Sequence, residues 1–260
     1  MNSIAKPNVL ITGAADRIGR AVALDLAAHG FGVGVHYFAS QDNAEHLVAT
    51  ITGGGGRAVA VRADLADETA VKSVIPLTTE ALGPLTALVN NASVFENDTA
   101  HNCTQDSWNL HLNVNTRAPL VLSQMFAEQL PENMPENTSA AIINLLDQRV
   151  WNLTPFFMSY TVSKAALWTL TQTLALALAP KVRVNAIGPG PTLKNARQSD
   201  DDFTRQWSQT PLSRQVSTKD IADGVRYILG ARSMTGQMIA LDGGQHLGWG
   251  QVSNATPPTE

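Results

Sequence analysis

The sequence is poor in cysteine and in charge. Its single thiol, Cys103, excludes an internal disulfide and leaves any thiolate metal site without a second ligand. Such cysteine usage suits a reducing compartment, and the expected location is the cytoplasm. Charged residues make up 15% of the 260, the formal net charge is -4, and no run of Lys and Arg reaches three. The chain therefore lacks the electrostatic footprint of a nucleic-acid binder. No uninterrupted apolar stretch reaches the roughly 18 residues that a membrane span needs. The apolar start is broken by Thr12, Gly13 and Asp16, which removes the core of a signal peptide. A strict GxGxxG fingerprint is missing too. With no internal repeat and no linker, the expectation is one domain over 1–253 with a disordered tail at 254–260.

What is present alternates between strand-like and helix-like patterns. Residues 8–12 (NVLIT) read as a buried strand, 13–16 as a tight turn and 17–29 as a helix, giving the pattern TGxxxRxG. Gly13 lets the chain turn sharply, Gly19 permits close approach, and the free amides of the first helical turn face an anion. A cation such as Arg17 opposes the helix dipole there by about 0.3–1 kcal/mol, which a bound phosphate would offset. The second strand, 31–37, runs into HYFAS, whose residues 36–40 hold no carboxylate for a ribose hydroxyl. That favours a 2′-phosphate, with His36, Ser40 and Arg17 as donors, and hence NADPH. The plainer alternative is that His36 and Ser40 merely end a strand.

A helix over 42–52, a GGGG turn and a strand over 57–62 follow. Asp64 then sits at a carboxyl edge where an adenine could meet it. Asp67 caps a third helix that Pro76 is expected to kink or end early. Residues 85–90 form a strand running into NNAS. Residues 105–130 read as one helical region with Trp108, Leu112, Leu120, Leu122 and Phe126 on its core face and Asn115 within it. The apolar run 140–146 is a buried strand ending at Asp147, and 181–187 is another, stopped by GPGP. Residues 192–213 show no convincing period and read as a mobile segment or lid. Thr218 caps a helix to residue 229, and 236–241 is the last strand. Strands alternating with helices argue an α/β fold with a doubly wound parallel sheet, whose ligands bind at the carboxyl ends of the strands. Gly13, Asp64, Asn91, Asp147 and Gly188 all lie at such ends.

Tyr160 and Lys164 are four residues apart in a helical pattern and share one face. An ammonium near a phenol favours the phenolate, lowers the tyrosine pKa and permits acid–base exchange with a substrate. An isolated pair at this spacing is usually solvated surface, but Asp147 stands thirteen residues before Tyr160 at a strand end. A carboxylic acid there can donate a proton; an ionised one can pair with a protonated heterocycle, and would push Tyr160 up against the effect of Lys164. The expectation is that a stacked substrate dehydrates Asp147 and keeps it protonated.

Taken together, TGAADRIG, DLAD, NNAS, YTVSK, VNAIGPG and LDGG resemble the short-chain dehydrogenase/reductase family along nearly the whole chain. The resemblance implies a seven-stranded Rossmann sheet, a nicotinamide cofactor, usually a homotetramer, and a catalytic set that Tyr160, Lys164 and Asn115 match. The family's serine is Asp147 here, and its middle turn glycine is Arg17. With HYFAS and NNASVF, these departures resemble the pteridine reductase branch, which includes bacterial dihydromonapterin and dihydrofolate reductases. That branch implies NADPH-dependent reduction of a dihydropterin, with Asp147 as active-site acid, Arg17 on cofactor phosphate and substrate, and Phe95 holding the pterin against the nicotinamide. Implied cofactor contacts are Gly13, Arg17, Ile18, Gly19, His36, Tyr37, Ser40, Asp64, Leu65, Asn91, Ala92, Ser93, Pro189 and Gly190. Ser93, Phe157 and Tyr160 join Arg17, Phe95 and Asp147 as implied substrate contacts. Two positions depart from the branch: Ala39 stands where an Arg often meets the 2′-phosphate, and Phe157 where a Tyr is common. The alternatives are a short-chain reductase of another carbonyl and a non-enzymatic dinucleotide sensor.

Overall fold

Runs of four to eight aliphatic residues, too short for stable helices, form the strands, and amphipathic stretches between them return the chain across the sheet. The computed structural model describes residues 7–132, 140–195 and 197–248; the tail expected at 254–260 lies outside them. The order is β1 (Asn8–Ile11), α1 (Arg17–Ala28), β2 (Gly32–Tyr37), α2 (Gln41–Gly53), β3 (Arg57–Arg62), α3 (Glu68–Leu82) and β4 (Ala87–Asn90). Then come α4 (Gln105–Leu112), α5 (Ala118–Glu128), β5 (Ala140–Leu145), α6 (Met158–Ala177), β6 (Val182–Pro189), α7 (Asp200–Ser208), α8 (Thr218–Gly230) and β7 (Met238–Leu241). The seven strands make one sheet in the order β3-β2-β1-β4-β5-β6-β7. Every pairing is parallel, so all carboxyl ends share one edge.

One face of the sheet packs on α1, α2 and α8 through residues such as Val22, Leu26, Leu47, Val225 and Ile228. The other packs on α3, α5 and α6 through Val71, Val74, Leu122, Phe126 and Leu174. Covered on both faces, the central strands are fully buried and carry no polar-apolar alternation. Three polar side chains inside this core are linked: Asn144 in β5 accepts from Asn90 Nδ2 at 2.8 Å and donates to Thr171 Oγ1 at 2.8 Å. Among the described residues, no helix is long and apolar enough to cross a membrane.

Four local expectations are corrected. Pro76 does not end α3, which continues to Leu82 with Pro76 and Lys72, whose carbonyl loses its amide partner, both exposed. Residues 105–130 are two helices separated by a π-helical turn, Asn113–Arg117. The wider turn shifts the helical phase, so Trp108 is 37% exposed while His111, Val114 and Asn115 turn inward. Residues 192–213 contain α7, started by Ser199, whose hydroxyl accepts from the Asp202 amide, and by three aspartates in its first turn. The cap of α8 is Ser217, one residue before the expected Thr218, in a reciprocal capping box with Asp220.

The strand ends are tied to one another. Thr12 Oγ1 accepts from the Asn91 and Ala92 amides at 2.9 and 3.0 Å, and Asn91 Nδ2 donates to the Thr12 and Gly13 carbonyls at 2.8 and 3.1 Å. Replacing Thr12 with the isosteric Val leaves two amides without an acceptor beside a buried position. Urea unfolding of Thr12→Val is expected to show a loss of about 1–3 kcal/mol with an unchanged slope.

Candidate active site

A cleft of about 460 Å³ opens along the carboxyl edge of the sheet. One end is built by the turn between β1 and α1. Gly13 has φ 61°, a left-handed conformation that glycine adopts without strain, and a Cβ on Gly19 would lie 2.3 Å from the Gly13 carbonyl oxygen. Asp16 is the N-cap of α1, yet its side chain makes no bond to the helix; instead Oδ1 accepts from Asn43 Nδ2 at 2.6 Å. The amides of Arg17, Ile18 and Gly19, all at the cleft wall, precede the first amide that reaches back into the helix, Arg20 to the Asp16 carbonyl. This donor set fits an anion, and the phosphates of a dinucleotide are the matching group.

Arg17 itself is left-handed, with φ 53°, at a cost of about 1–2 kcal/mol for a residue with a Cβ. Its guanidinium donates to the carbonyls of Lys194 at 2.9 Å and Leu193 at 3.1 Å. The cation at the start of α1 thus pins the segment that leads from β6 to α7.

The other end carries the acid–base groups. Asp147 follows β5, where its Oδ1 accepts from the Arg149 amide at 2.8 Å and its Oδ2 accepts from the Tyr160 hydroxyl at 2.9 Å. Tyr160 and Lys164 lie on one face of α6, both buried. Lys164 Nζ donates to the Leu145 carbonyl at 2.7 Å, not to the phenol, and lies 5.8 Å from the centre of its ring. Burial lowers the Lys164 pKa to about 8, against the opposing pull of Asp147. The expected lowering of Tyr160 is reversed: burial first, then the charge and hydrogen bond of Asp147, push it well above the ordinary phenol range. Tyr160 is therefore a phenol that donates a hydrogen bond at neutral pH. Asn115 is fully buried, with Oδ1 accepting from the Val94 amide and Ser93 hydroxyl and Nδ2 donating to the Val94 carbonyl and Ser163 Oγ. It anchors the loop after β4 and makes no hydrogen bond to Tyr160 or Lys164.

Between the two ends stands an aromatic wall. Phe95 lines the cleft and stacks on Phe157 with centroids 4.5 Å apart and planes 7° from parallel; the Tyr160 ring meets Phe95 edge-on at 4.6 Å. Phe157, expected to touch substrate, is only 1% exposed and backs the wall from behind. The Arg149 guanidinium lies over both rings, 5.4 Å from Phe95 and 4.9 Å from Phe157, with Nε 3.9 Å from Asp147 Oδ1. Sequence reasoning missed this buried arginine. Its signal was a cation two residues after a strand-end aspartate, meaningful only once the intervening 3-10 turn is known.

Of the residues expected to meet a cofactor, Gly13, Arg17, Ile18, Gly19, Asn91, Ala92, Ser93, Pro189 and Gly190 line the cleft. Tyr37, Ser40, Asp64 and Leu65 stand at the ends of β2 and β3 or just beyond them, outside its wall. His36 is corrected outright. It is 1% exposed, its Nδ1 accepts from the Gly13 amide at 3.1 Å, its Nε2 lies 3.2 Å from the Ala63 carbonyl, and burial lowers its pKa to about 4. A neutral, internally bonded imidazole holds the turn and offers no cation to a 2′-phosphate. Gly188 is buried under Met238 rather than at the cleft surface.

A family model described as enoyl-(acyl carrier protein) reductase matches residues 13–246. A 3-oxoacyl-[acyl-carrier-protein] reductase of Staphylococcus epidermidis is 32% identical, covering 92% of this chain and 99% of its own. The crystal structure of FolM alternative dihydrofolate reductase 1 from Brucella suis, in complex with NADP, is 45% identical with a TM-score of 0.91, covering 97% of this chain and 100% of its own. Its counterpart from Brucella canis, also complexed with NADP, is 44% identical with a TM-score of 0.89 over 97% and 99%. From the glycine turn to the strand-end Asn, the Tyr/Lys helix and the seven-stranded sheet, the chain belongs to the short-chain dehydrogenase/reductase family.

Proposed function

We propose that the protein reduces a dihydropterin, of the dihydrobiopterin, dihydromonapterin or dihydrofolate type, to its tetrahydro form with NADPH. The observation that carries this reading is the carboxyl group of Asp147, bonded to the Tyr160 hydroxyl at 2.9 Å beside the face of Phe95. A ketone asks only for a hydroxyl donor. A flat heterocycle with a C=N bond and an amidine-like edge asks for a stacking wall and for a group that both pairs and donates. The likeness to two FolM dihydrofolate reductases at 44–45% identity supports the same substrate class.

The chemistry supplied by NADPH is a hydride. The chain's own residues do the rest. The open amides at the start of α1 hold the phosphates, Phe95 sets the plane of the pterin, and the ring seated against it excludes water from Asp147. Low polarity there favours the neutral acid, which gives its proton to the ring nitrogen as the adjacent carbon accepts the hydride. Tyr160, held as a phenol, keeps its hydrogen bond to the carboxylate this leaves, which takes its next proton from water once the product departs. Lys164 keeps the Leu145 carbonyl, and with it the end of β5, fixed beneath this pair. A homotetramer, as the resemblance implies, would cover apolar side chains such as Trp108, Leu110 and Val162, which are 37–39% exposed on α4 and α6.

The first test is NADPH oxidation by wild type and Asp147→Ser with dihydrobiopterin, dihydromonapterin, dihydrofolate and a 3-oxoacyl thioester. Wild type is expected to turn over pterins, and the serine variant to lose about 100-fold or more in kcat on them. Turnover of the thioester alone would replace this reading with carbonyl reduction.

Lys164 makes a second prediction. Between about pH 8 and 10.5 the unfolded chain keeps a proton that folded Lys164 has released, so this residue makes stability rise with pH over that window. Compared with Lys164→Met, ligand-free wild type should gain melting temperature from pH 8 to 10. A constant difference between the two would show that Lys164 is not desolvated.

A further inference from the structure

The loop after β4 ends on a buried carboxylate, Asp98, that no step above uses. Asp98 is 3% exposed, and His111 and Ser159 beside it are fully buried. α6 begins after Phe157, an apolar left-handed residue that provides no side-chain cap. Asp98 supplies the cap from 61 positions away in the chain: Oδ1 accepts from the Ser159 amide at 3.0 Å, and the Asp98 carbonyl accepts from the Met158 amide at 3.2 Å. Its Oδ2 accepts from the hydroxyls of Ser159 and of Ser107, the latter at 3.0 Å. Burial opposes ionisation of Asp98, but the donations from Ser159, Cys103 and Ser107 outweigh it and hold the carboxyl below its ordinary range.

These bonds have a fixed direction. The Glu96 amide can only donate, and it points at His111 Nε2 across 3.1 Å. The imidazole proton must then sit on Nδ1, which lies 2.9 Å from the Ser107 carbonyl and 2.8 Å from Ser159 Oγ. Ser159 in turn donates to Asp98. The series runs from an obligatory donor to an obligatory acceptor, so an ionised carboxylate at its end orients every hydroxyl and the imidazole. It joins the loop bearing Phe95 to α4 and to the first turn of α6, which bears Tyr160; the His111 and Tyr160 rings meet edge-on at 6.1 Å.

We propose that Asp98 is a positioning residue for the reaction: through Ser159 and His111 it holds the Phe95 wall and the Tyr160 hydroxyl in one geometry. This rests on the hydrogen-bonding role given to Tyr160 in the proposed reaction. Asn at position 98 puts an amide NH2 where an oxygen accepted two hydroxyls, so the Ser159 hydroxyl loses its acceptor and turns toward His111, whose Nδ1–H stays held by the Ser107 carbonyl.

The test combines ¹⁵N NMR of His111 with steady-state kinetics of the full-length wild type, Asp98→Asn and Ser159→Ala. Wild type should show the Nδ1–H tautomer at neutral pH, and Asp98→Asn should keep it with a shifted Nδ1 resonance as the Ser159 hydroxyl reorients. The variants should lose about tenfold or more in kcat while KM for NADPH stays within about twofold. Kinetics are read on whichever of dihydropterin or 3-oxoacyl thioester wild type reduces, because Tyr160 serves both; failure on pterin alone therefore counts against the proposed substrate and not against Asp98. Should Asp98→Asn not fold, Ser159→Ala carries the kinetic test, since it cuts the series without adding a donor. An Nε2–H tautomer in wild type, or kcat and KM within about twofold of wild type in every folded variant whatever its melting temperature, would overturn the proposal.

Discussion

Tyr160 gives its hydroxyl hydrogen to Asp147 inside a shell that excludes water from both Tyr160 and Lys164. That bond demands two independent placements. Asp147 must stand at the end of β5, between β4 and β6 in the sheet, and Tyr160 must present its ring from the first turn of α6. The parallel sheet provides the first placement and a cap borrowed from Asp98 provides the second. Burial dominates the electrostatics of Tyr160 and Lys164: with the Asp147 carboxyl group it keeps the phenol protonated, and it lowers the Lys164 pKa to about 8.

The phosphate-binding end and the reacting end are coupled through the chain that follows β6. Arg17 holds the carbonyls of Leu193 and Lys194, and Arg197 pairs with Glu96 at 2.8 Å and donates to the Phe95 carbonyl at 2.8 Å. One segment thus touches both the start of α1 and the aromatic wall. A ligand that recruited Arg17 would release two carbonyl contacts on that segment.

Much of this was legible in the sequence because the signals were local. Fully apolar runs announced buried parallel strands, a glycine turn announced the anion site, and the four-residue spacing of Tyr160 and Lys164 put them on one helix face. The SDDD start of α7 was equally local, a cap followed by acidic residues, and was readable in principle. What was not legible depended on distant partners. Trp108, expected on the core face, is exposed and Asn115 is buried because a π-helical turn shifts phase, which no period reveals. His36 turned inward because Gly13 and Ala63, on neighbouring strand ends, satisfy its two nitrogens. Arg149 and Phe157 form the back of the wall only after the chain between β5 and α6 has folded over Phe95. Tyr160 showed the limit of pairwise reasoning: the ammonium was read correctly as a neighbour, but desolvation and the nearer carboxyl group decide the sign.

The central claim is that Asp147 acts as an acid toward the bound ring. The most direct measurement is the pH dependence, from pH 5 to 8, of single-turnover dihydropterin reduction by wild type and Asp147→Asn, both saturated with NADPH. The account predicts a wild-type rate that falls as pH rises, and a slow, pH-independent rate in the Asn variant. Equal and flat profiles for the two proteins would contradict it.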